Sequence, residues 1–466
     1  MDILVVNLSL RPSSPVKIFP IGLGYIATSM HRAGHSFDLL DIDGHRYSDR
    51  QIESFIKARN YDVVCMGCIV TGYGRVRDLC AVIRRHHPHA MIVAGNTVAT
   101  SIVETLLRRT EVDIAVMGEG DETIVDLLDA VAHDRDLESV QGIRFLRDGR
   151  LVETPDRPLI KDISAVPFID YALFDVDLYI EASGHWLADA YPLPRQELRA
   201  LPVNTARGCI ARCTFCYHVF DGMPYRRRNA DAVLAEVRQM IADFSLNAVS
   251  FSDELTFSSK RQALEFAEKI LASDMHFYWE ADCRSDLFDR DEDIDIAAKM
   301  RESGCTAIGY SLESSDADIL AAMNKKASVE QFSLQTGLFQ RAGIAPATSL
   351  VLGYPQETAA TIAATFGCCI ENRVYPSAGY LLPQPGSRMY AYALEHGFIT
   401  DEEDYLLRLG DRQDLRLNMT QMGDAEFEKH VRDGLRRCNE VLDVGLSEDQ
   451  LIKTQFYRAV GGRAEK

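Results

Sequence analysis

Three cysteines in one short stretch, Cys209, Cys213 and Cys216, carry the sharpest chemical signal in the sequence. Their Cys-x3-Cys-x2-Cys spacing, within Arg207-Gly208-Cys209-Ile210-Ala211-Arg212-Cys213-Thr214-Phe215-Cys216-Tyr217, brings three thiolates into one loop. Thiolates are the ligands that iron–sulfur clusters require, and three of them on a four-iron cubane leave one iron open to a small molecule. Two other readings stand beside this one. A zinc site would want a fourth Cys or His, for which His218 is the candidate. Three unrelated buried thiols would need no ligand at all.

The elements that must position this loop form two alternating series. From residue 201, candidate strands fall at Pro202–Ala206, Ala248–Phe251, Phe277–Ala281, Ala307–Leu312, Ala347–Leu352 and Ala378–Leu382, with helical patterns between them. Six strand–helix units predict a partial barrel with its site at the carboxyl ends of the strands. The cysteine loop follows the first strand.

Upstream, Ile3–Asn7, Ser36–Asp41, Val63–Ile69, Met91–Ala94 and Ile114–Met117 read as strands alternating with helices, the pattern of a doubly wound parallel sheet. Ligands of such sheets sit beyond the carboxyl ends of the strands. Small residues cluster there, in Cys68-Ile69-Val70-Thr71-Gly72, Gly95-Asn96-Thr97 and Gly118-Glu119-Gly120. The expected organisation is a doubly wound domain over 1–140, a Pro-interrupted linker over 141–200, a barrel over 201–395 and a mostly helical region over 396–466. A hairpin around Asp148-Gly149 falls in the linker.

Composition narrows the function. A chain of 466 residues exceeds one ordinary core. A formal charge of −19 argues against a large phosphate-binding face and hence against nucleic acid as a partner. No apolar segment approaches the roughly 20 residues of a membrane span, so stable membrane insertion is not expected. Met1-Asp2 leads straight into a strand-like run with no secretory signal. Eleven cysteines then point to a reducing cytoplasm.

The cysteine run, with an aromatic residue just before its third Cys, resembles the signature loop of the radical S-adenosylmethionine (radical SAM) superfamily. The strand ends extend the resemblance in order: Ser252-Asp253-Glu254, Asp282-Cys283-Arg284, Gly309-Tyr310-Ser311-Leu312-Glu313-Ser314 with Asn324-Lys325, Leu352-Gly353-Tyr354-Pro355-Gln356-Glu357-Thr358, and Pro383-Gln384-Pro385-Gly386-Ser387. Pro20-x-Gly22-x-x-Tyr25, Gly95-Asn96 and Gly118-Glu119-Gly120 resemble the cobalamin (B12)-binding domain that precedes many such barrels. The chain thus resembles cobalamin-binding radical SAM enzymes of the class B methyltransferase type.

What this resemblance implies is specific. Cys209, Cys213 and Cys216 would hold a 4Fe-4S cluster. Phe215, Tyr217, Asp253, Glu254, Arg284, Glu313 and Gly353 would contact S-adenosylmethionine. Pro20, Gly22, Cys68, Thr71, Gly95, Asn96, Gly118, Glu119 and Gly120 would contact cobalamin. The Asp-x-His-x-x-Gly motif that supplies a lower histidine to cobalt is missing, so His45 in Asp43-Gly44-His45 is expected as a surface residue. The implied activity is methylation of an unactivated carbon of a small molecule through a 5′-deoxyadenosyl radical and methylcobalamin. An external electron donor such as a flavodoxin or ferredoxin would supply the electron.

Three alternatives stay open. The same cofactors could drive cyclisation, ring contraction or oxidative rearrangement without methyl transfer. A transfer-RNA methylthiotransferase would use a second cluster, for which Cys65, Cys68 and Cys80 are candidates, although Cys65 and Cys68 read as buried strand residues. A cobalamin carrier with a vestigial barrel would not need its cysteines intact. The substrate itself has no motif in this sequence.

Overall fold

The computed structural model describes residues 1–188, 190–218 and 225–452. Its first sheet has seven strands: β1 (Ile3–Asn7), β2 (Asp38–Asp41), β3 (Val63–Gly67), β4 (Met91–Gly95), β5 (Ile114–Val116), β6 (Ile143–Arg147) and β7 (Arg150–Glu153). The order is β2-β1-β3-β4-β5-β6-β7. The first five strands run parallel, as the alternation predicts. All five residues of β1 are buried because helices cover both faces, Leu4 and Val6 facing one core and Ile3 and Val5 the other.

The hairpin expected in the linker belongs to this sheet instead. β6 pairs antiparallel with β5 and β7 with β6, so the sheet runs to Glu153 rather than ending near 140. Ile143 and Phe145 alternate into the same core as Ile114 and Val116, which gives the hairpin its reason to dock.

Parallel strands of the second unit are β8 (Ala200–Val203), β11 (Ala248–Phe251), β12 (Tyr278–Asp282), β13 (Cys305–Gly309), β14 (Ala345–Ala347), β15 (Ser349–Leu352) and β16 (Ser377–Tyr380); β9 (Ala206–Gly208) and β10 (Tyr225–Arg227) form a separate antiparallel ribbon. Five strands line up as β14-β13-β12-β11-β8, and β15 pairs with β16. Two expected strands are each broken in two. The Ala347–Leu352 strand divides at Thr348, whose hydroxyl accepts the Leu312 N–H at 3.0 Å, and a bridge from Glu313 to Leu350 carries the sheet across the break. The Pro202–Ala206 strand ends at Val203. Asp253 accepts hydrogen bonds from Asn204 Nδ2 and the Thr205 and Ala206 N–H groups, bending the chain into β9.

Alternation separates the barrel's two faces. Val249, Phe251, Trp279, Ala281, Ile308, Leu350, Leu352, Ala378 and Tyr380 pack outward beneath the helices. Their neighbours Ser250, Glu280, Asp282, Gly309 and Gly379 therefore face the lumen. The helix Asp424–Leu442 packs on Ala359–Glu371, and its Phe427 meets Tyr380 at 5.3 Å between ring centroids. No helix among the described residues is long and apolar enough to cross a membrane.

Candidate functional site

The ribbon of β9 and β10 brackets the cysteine loop: the chain leaves through Gly208 and returns at Tyr225, its partner across the ribbon. Local hydrogen bonds fix the loop against later elements. Thr214 N–H donates to Met323 O at 2.9 Å, Thr214 Oγ1 donates to Ala322 O and lies 2.8 Å from the Tyr354 hydroxyl, and Asn324 Nδ2 donates to Arg212 O at 2.7 Å. The Asn324-Lys325 pair thus serves the loop directly. Gly386, at φ +88°, lies against the Tyr217 ring, where any Cβ would collide.

Burial pushes the Cys213 and Cys216 thiols above their ordinary range, and each feels the charge of the other cysteines. For Cys213 the Lys325 ammonium opposes that rise. Cations brought by a cluster would offset that burial. The zinc alternative finds no such footing. The Nε2 of His218 lies 3.2 Å from the Cys213 carbonyl, and no three His, Cys, Asp or Glu side chains among the described residues converge as around a single ion. A cubane makes no such demand, since each thiolate takes a different iron.

Around the loop the lumen is charged. Glu313, at φ +63° and 4% exposed, accepts a bond from Lys325 Nζ at 3.0 Å through Oε1, while Oε2 is buried without a partner. A buried carboxylate oxygen left unbonded costs about 1–3 kcal/mol, so the site fits a ligand that donates there, as an amino group or ribose hydroxyl does. Arg284 is held by Asp286 through two 2.8 Å bonds. Asp282 is pushed up to about 7 by burial and by the charges of Glu280 and Asp253.

Some expected contacts are committed elsewhere. Asp253 closes the β8–β9 turn with its oxygens, leaving Glu254 exposed beside it. Phe215 packs partly buried into an apolar cluster with the N-terminal unit. Gly353, at φ +112°, has Phe427 carbons 3.2 Å from where a Cβ would lie, and its N–H donates to Glu357. Its role is packing.

The carboxyl edge of the first sheet faces this loop. Pro20, Gly22, Cys68, Thr71, Asn96, Gly118 and Gly120 lie in the segments that follow β1, β3, β4 and β5, and Gly95 is the last residue of β4. Cβ atoms added at Gly22 or Gly118 would meet nothing within 4 Å, so open space lies against the backbone there. Asn96 has φ +67° and ψ −163°, a region almost reserved for glycine that costs about 1–3 kcal/mol to hold. Strain and open backbone on one edge fit a broad ligand lying flat on it. Cys65 and Cys68 point into opposite cores and form no pair. His45 is exposed, its ring stacked 4.9 Å from Tyr47.

Glu119 requires correction. Its carboxylate, expected against cobalamin, is buried between the two units, accepting from Arg207 Nη1 at 2.5 Å, Arg226 Nη1 at 2.8 Å and Ile160 N–H at 2.7 Å. Asp121 completes the cluster with bonds of 3.0 and 3.1 Å to Arg207. Arg207 immediately precedes the cysteine loop, so these acids fasten the loop to the end of β5. Tyr217 makes a second fastening, its hydroxyl donating to Thr100 Oγ1 at 3.1 Å. Sequence spacing gave no sign of this pairing, because the partners lie 86 and 88 positions apart.

A doubly wound sheet whose ligand edge faces a three-thiol loop in a partial barrel defines the class: a two-unit radical enzyme scaffold. The B12 binding domain family matches residues 10–128, and the Radical SAM superfamily matches residues 203–368. The chain belongs to the radical SAM enzymes that carry a B12-binding domain. It is 24% identical over 383 residues to an uncharacterized methyltransferase of Pyrococcus horikoshii, covering 82% of this chain and 79% of that one. It is 24% identical to an anaerobic magnesium-protoporphyrin IX monomethyl ester cyclase of Rubrivivax gelatinosus, covering 74% of this chain but only 61% of the cyclase. The fold matches the radical SAM methyltransferase TsrM of Kitasatospora setae, solved with cobalamin and a [4Fe-4S] cluster, at TM-score 0.64 and 18% identity over 85% of this chain and 75% of that one.

Proposed function

We propose that the protein is a cobalamin-dependent radical SAM enzyme that methylates an unactivated carbon of a small molecule. The observation that carries this reading is the double fastening of the cysteine loop to the first sheet, through Arg207 to Glu119 and Asp121 and through Tyr217 to Thr100. It supports a reading in which the loop and the glycine-lined edge serve one site. When bound there, the cluster and S-adenosylmethionine supply a carbon-centred radical and cobalamin supplies a transferable methyl group.

The chain's own residues bind and orient. Cys209, Cys213 and Cys216 ligate the cluster, Glu313 receives a donor of S-adenosylmethionine, and Gly22, Gly95, Asn96 and Gly118 accept the corrin face. His45 lies exposed and stacked on Tyr47, as expected of a surface residue. An external one-electron donor such as a flavodoxin or ferredoxin reduces the cluster, and the eleven free cysteines suit a reducing cytoplasm.

Likeness to the methyltransferase of P. horikoshii supports methylation; likeness to the cyclase keeps a second reading, the same cofactors without methyl transfer. Products from methyl-labelled S-adenosylmethionine separate the two. Methylation consumes a second S-adenosylmethionine and yields labelled product, S-adenosylhomocysteine and 5′-deoxyadenosine. Converted substrate without label, alongside 5′-deoxyadenosine alone, would overturn it.

A further inference from the structure

One cation in the barrel, Arg412, makes no ion pair with any described residue. Arg412 lies outside both family matches, in the segment that follows the helix Glu402–Arg408. Its carbonyl accepts the Tyr380 N–H at 2.7 Å, so this segment lies along the free edge of β16. From there the side chain turns inward. Gly379 alternates with the outward-packed Ala378 and Tyr380, and a Cβ at Gly379 would lie 3.0 Å from Cγ, Cδ and Nη1 of Arg412. Only glycine at 379 leaves the guanidinium that place in the lumen.

There it makes only long bonds to neutral oxygens: Leu350 O at 3.4 Å, Ser377 O at 3.5 Å and Ser377 Oγ at 3.3 Å. No carboxylate of the described residues lies within ion-pair distance of it. Its neighbours are spoken for: Arg284 by Asp286, Lys325 by Glu313, and the adjacent Asp411 by Arg11 at 3.3 Å. Burial lowers the Arg412 guanidinium's affinity for its proton, and the charges of Glu313 and Asp411 only partly offset this. Enclosed charges are normally paired, and a guanidinium matches a carboxylate or phosphate through two parallel bonds.

We propose that Arg412 is the anchor for an oxyanion of the substrate, so that the molecule acted on carries a carboxylate, phosphate or phosphonate group. Arg412 then sets specificity from outside the family-matched part of the barrel, holding the anionic end against β16 while the rest of the substrate lies toward the cysteine loop. Asp411, held by Arg11 of the loop after β1, ties the same segment to the cobalamin-side unit. This inference rests on the proposed function for the identity of the cavity.

The test uses the full chain loaded with cluster and cobalamin. Equilibrium dialysis measures binding of radiolabelled inorganic phosphate and of succinate, with dimethyl succinate as the neutral control. One arm reports phosphate-type groups and the other carboxylates. The expected result is one equivalent of at least one anion bound and none of the diester. Arg412→Gln should weaken that binding at least tenfold and Arg412→Lys less. Meanwhile the KM for S-adenosylmethionine in 5′-deoxyadenosine release should move less than twofold. Gly379→Ala, which crowds the guanidinium while keeping its charge, reads out the same site if Arg412→Gln does not fold. Equal binding by wild type and variant, no binding by wild type, or a rise in the S-adenosylmethionine KM with unchanged anion binding would each overturn the assignment. Absence of 5′-deoxyadenosine from a wild type that binds anion through Arg412 would instead count against the proposed function.

Discussion

The two ligand edges that meet across the cysteine loop are built on opposite principles. The first sheet offers absence: Gly22 and Gly118 open onto empty space, and the strained Asn96 keeps side-chain bulk off the edge. The acids after β5, Glu119 and Asp121, are withdrawn into an ion cluster. The barrel lumen offers charge: Glu313, Lys325, Arg284, Asp282 and Arg412 stand in or beside it. A large planar group is recognised by shape and needs backbone brought close. Small polar groups are recognised by paired charges in an enclosed space. The difference teaches that one edge suits a corrin ring and the other S-adenosylmethionine with a polar substrate.

Substitutions can break either half without the other. The largest effect belongs to Cys213→Ala, which should abolish cluster absorbance and 5′-deoxyadenosine release while cobalamin still binds. Loss of both cofactors together would contradict two separable sites. Next is Arg207→Ala, which strands Asp121 in a buried interface and leaves Glu119 with Arg226 as its remaining cation. Breaking one partner of such a pair costs about 3–5 kcal/mol, and the denaturation midpoint should fall accordingly; an unchanged midpoint would show the fastening to be idle.

Gly22→Trp fills open space on the first edge and should cut cobalamin content at least tenfold with iron per chain unaltered, as metal analysis would show. Glu313→Gln removes the charge facing the unbonded Oε2 position. S-adenosylmethionine binding should weaken roughly tenfold, about 1.4 kcal/mol, with cobalamin content unmoved.

A pH-dependent effect concerns Asp282. Because its carboxyl titrates near 7 in the folded chain against 3.8 ordinarily, the folded state holds a proton that the unfolded state has released. Its contribution to stability is therefore full below pH 4 and is lost as pH rises to about 7, by at most about 1.4 kcal/mol per unit. Asp282→Asn should flatten that part of the stability profile; an identical slope in the variant would refute the assignment.

Much of this contrast was legible in the sequence where function is local. The cysteine loop, the glycine-bearing strand ends and the alternating strands each announce themselves within a few residues, because spacing and period act over short distances. What long-range pairing decides was hidden. Glu119 sits in a segment that resembles a ligand loop, yet Arg207 and Arg226 claim it from far along the chain. The expected strand Ala347–Leu352 is divided at Thr348, whose hydroxyl accepts the Leu312 N–H from a neighbouring segment that no local period reveals. Arg412 lies in a stretch without motif or period, and only the fold brings it to Gly379. The hairpin around Asp148-Gly149 is legible as a hairpin, but the sequence assigns it to the linker rather than to the first sheet, because its docking depends on Phe145 meeting Ile114.

The most direct measurement is the cofactor content of anaerobically reconstituted protein, taken together with its products on reduction with S-adenosylmethionine. The account predicts about four irons and one cobalamin per chain, and release of 5′-deoxyadenosine that disappears in Cys213→Ala. Iron bound without cobalamin, or both bound with no 5′-deoxyadenosine released, would contradict the claim that the two edges form one radical site.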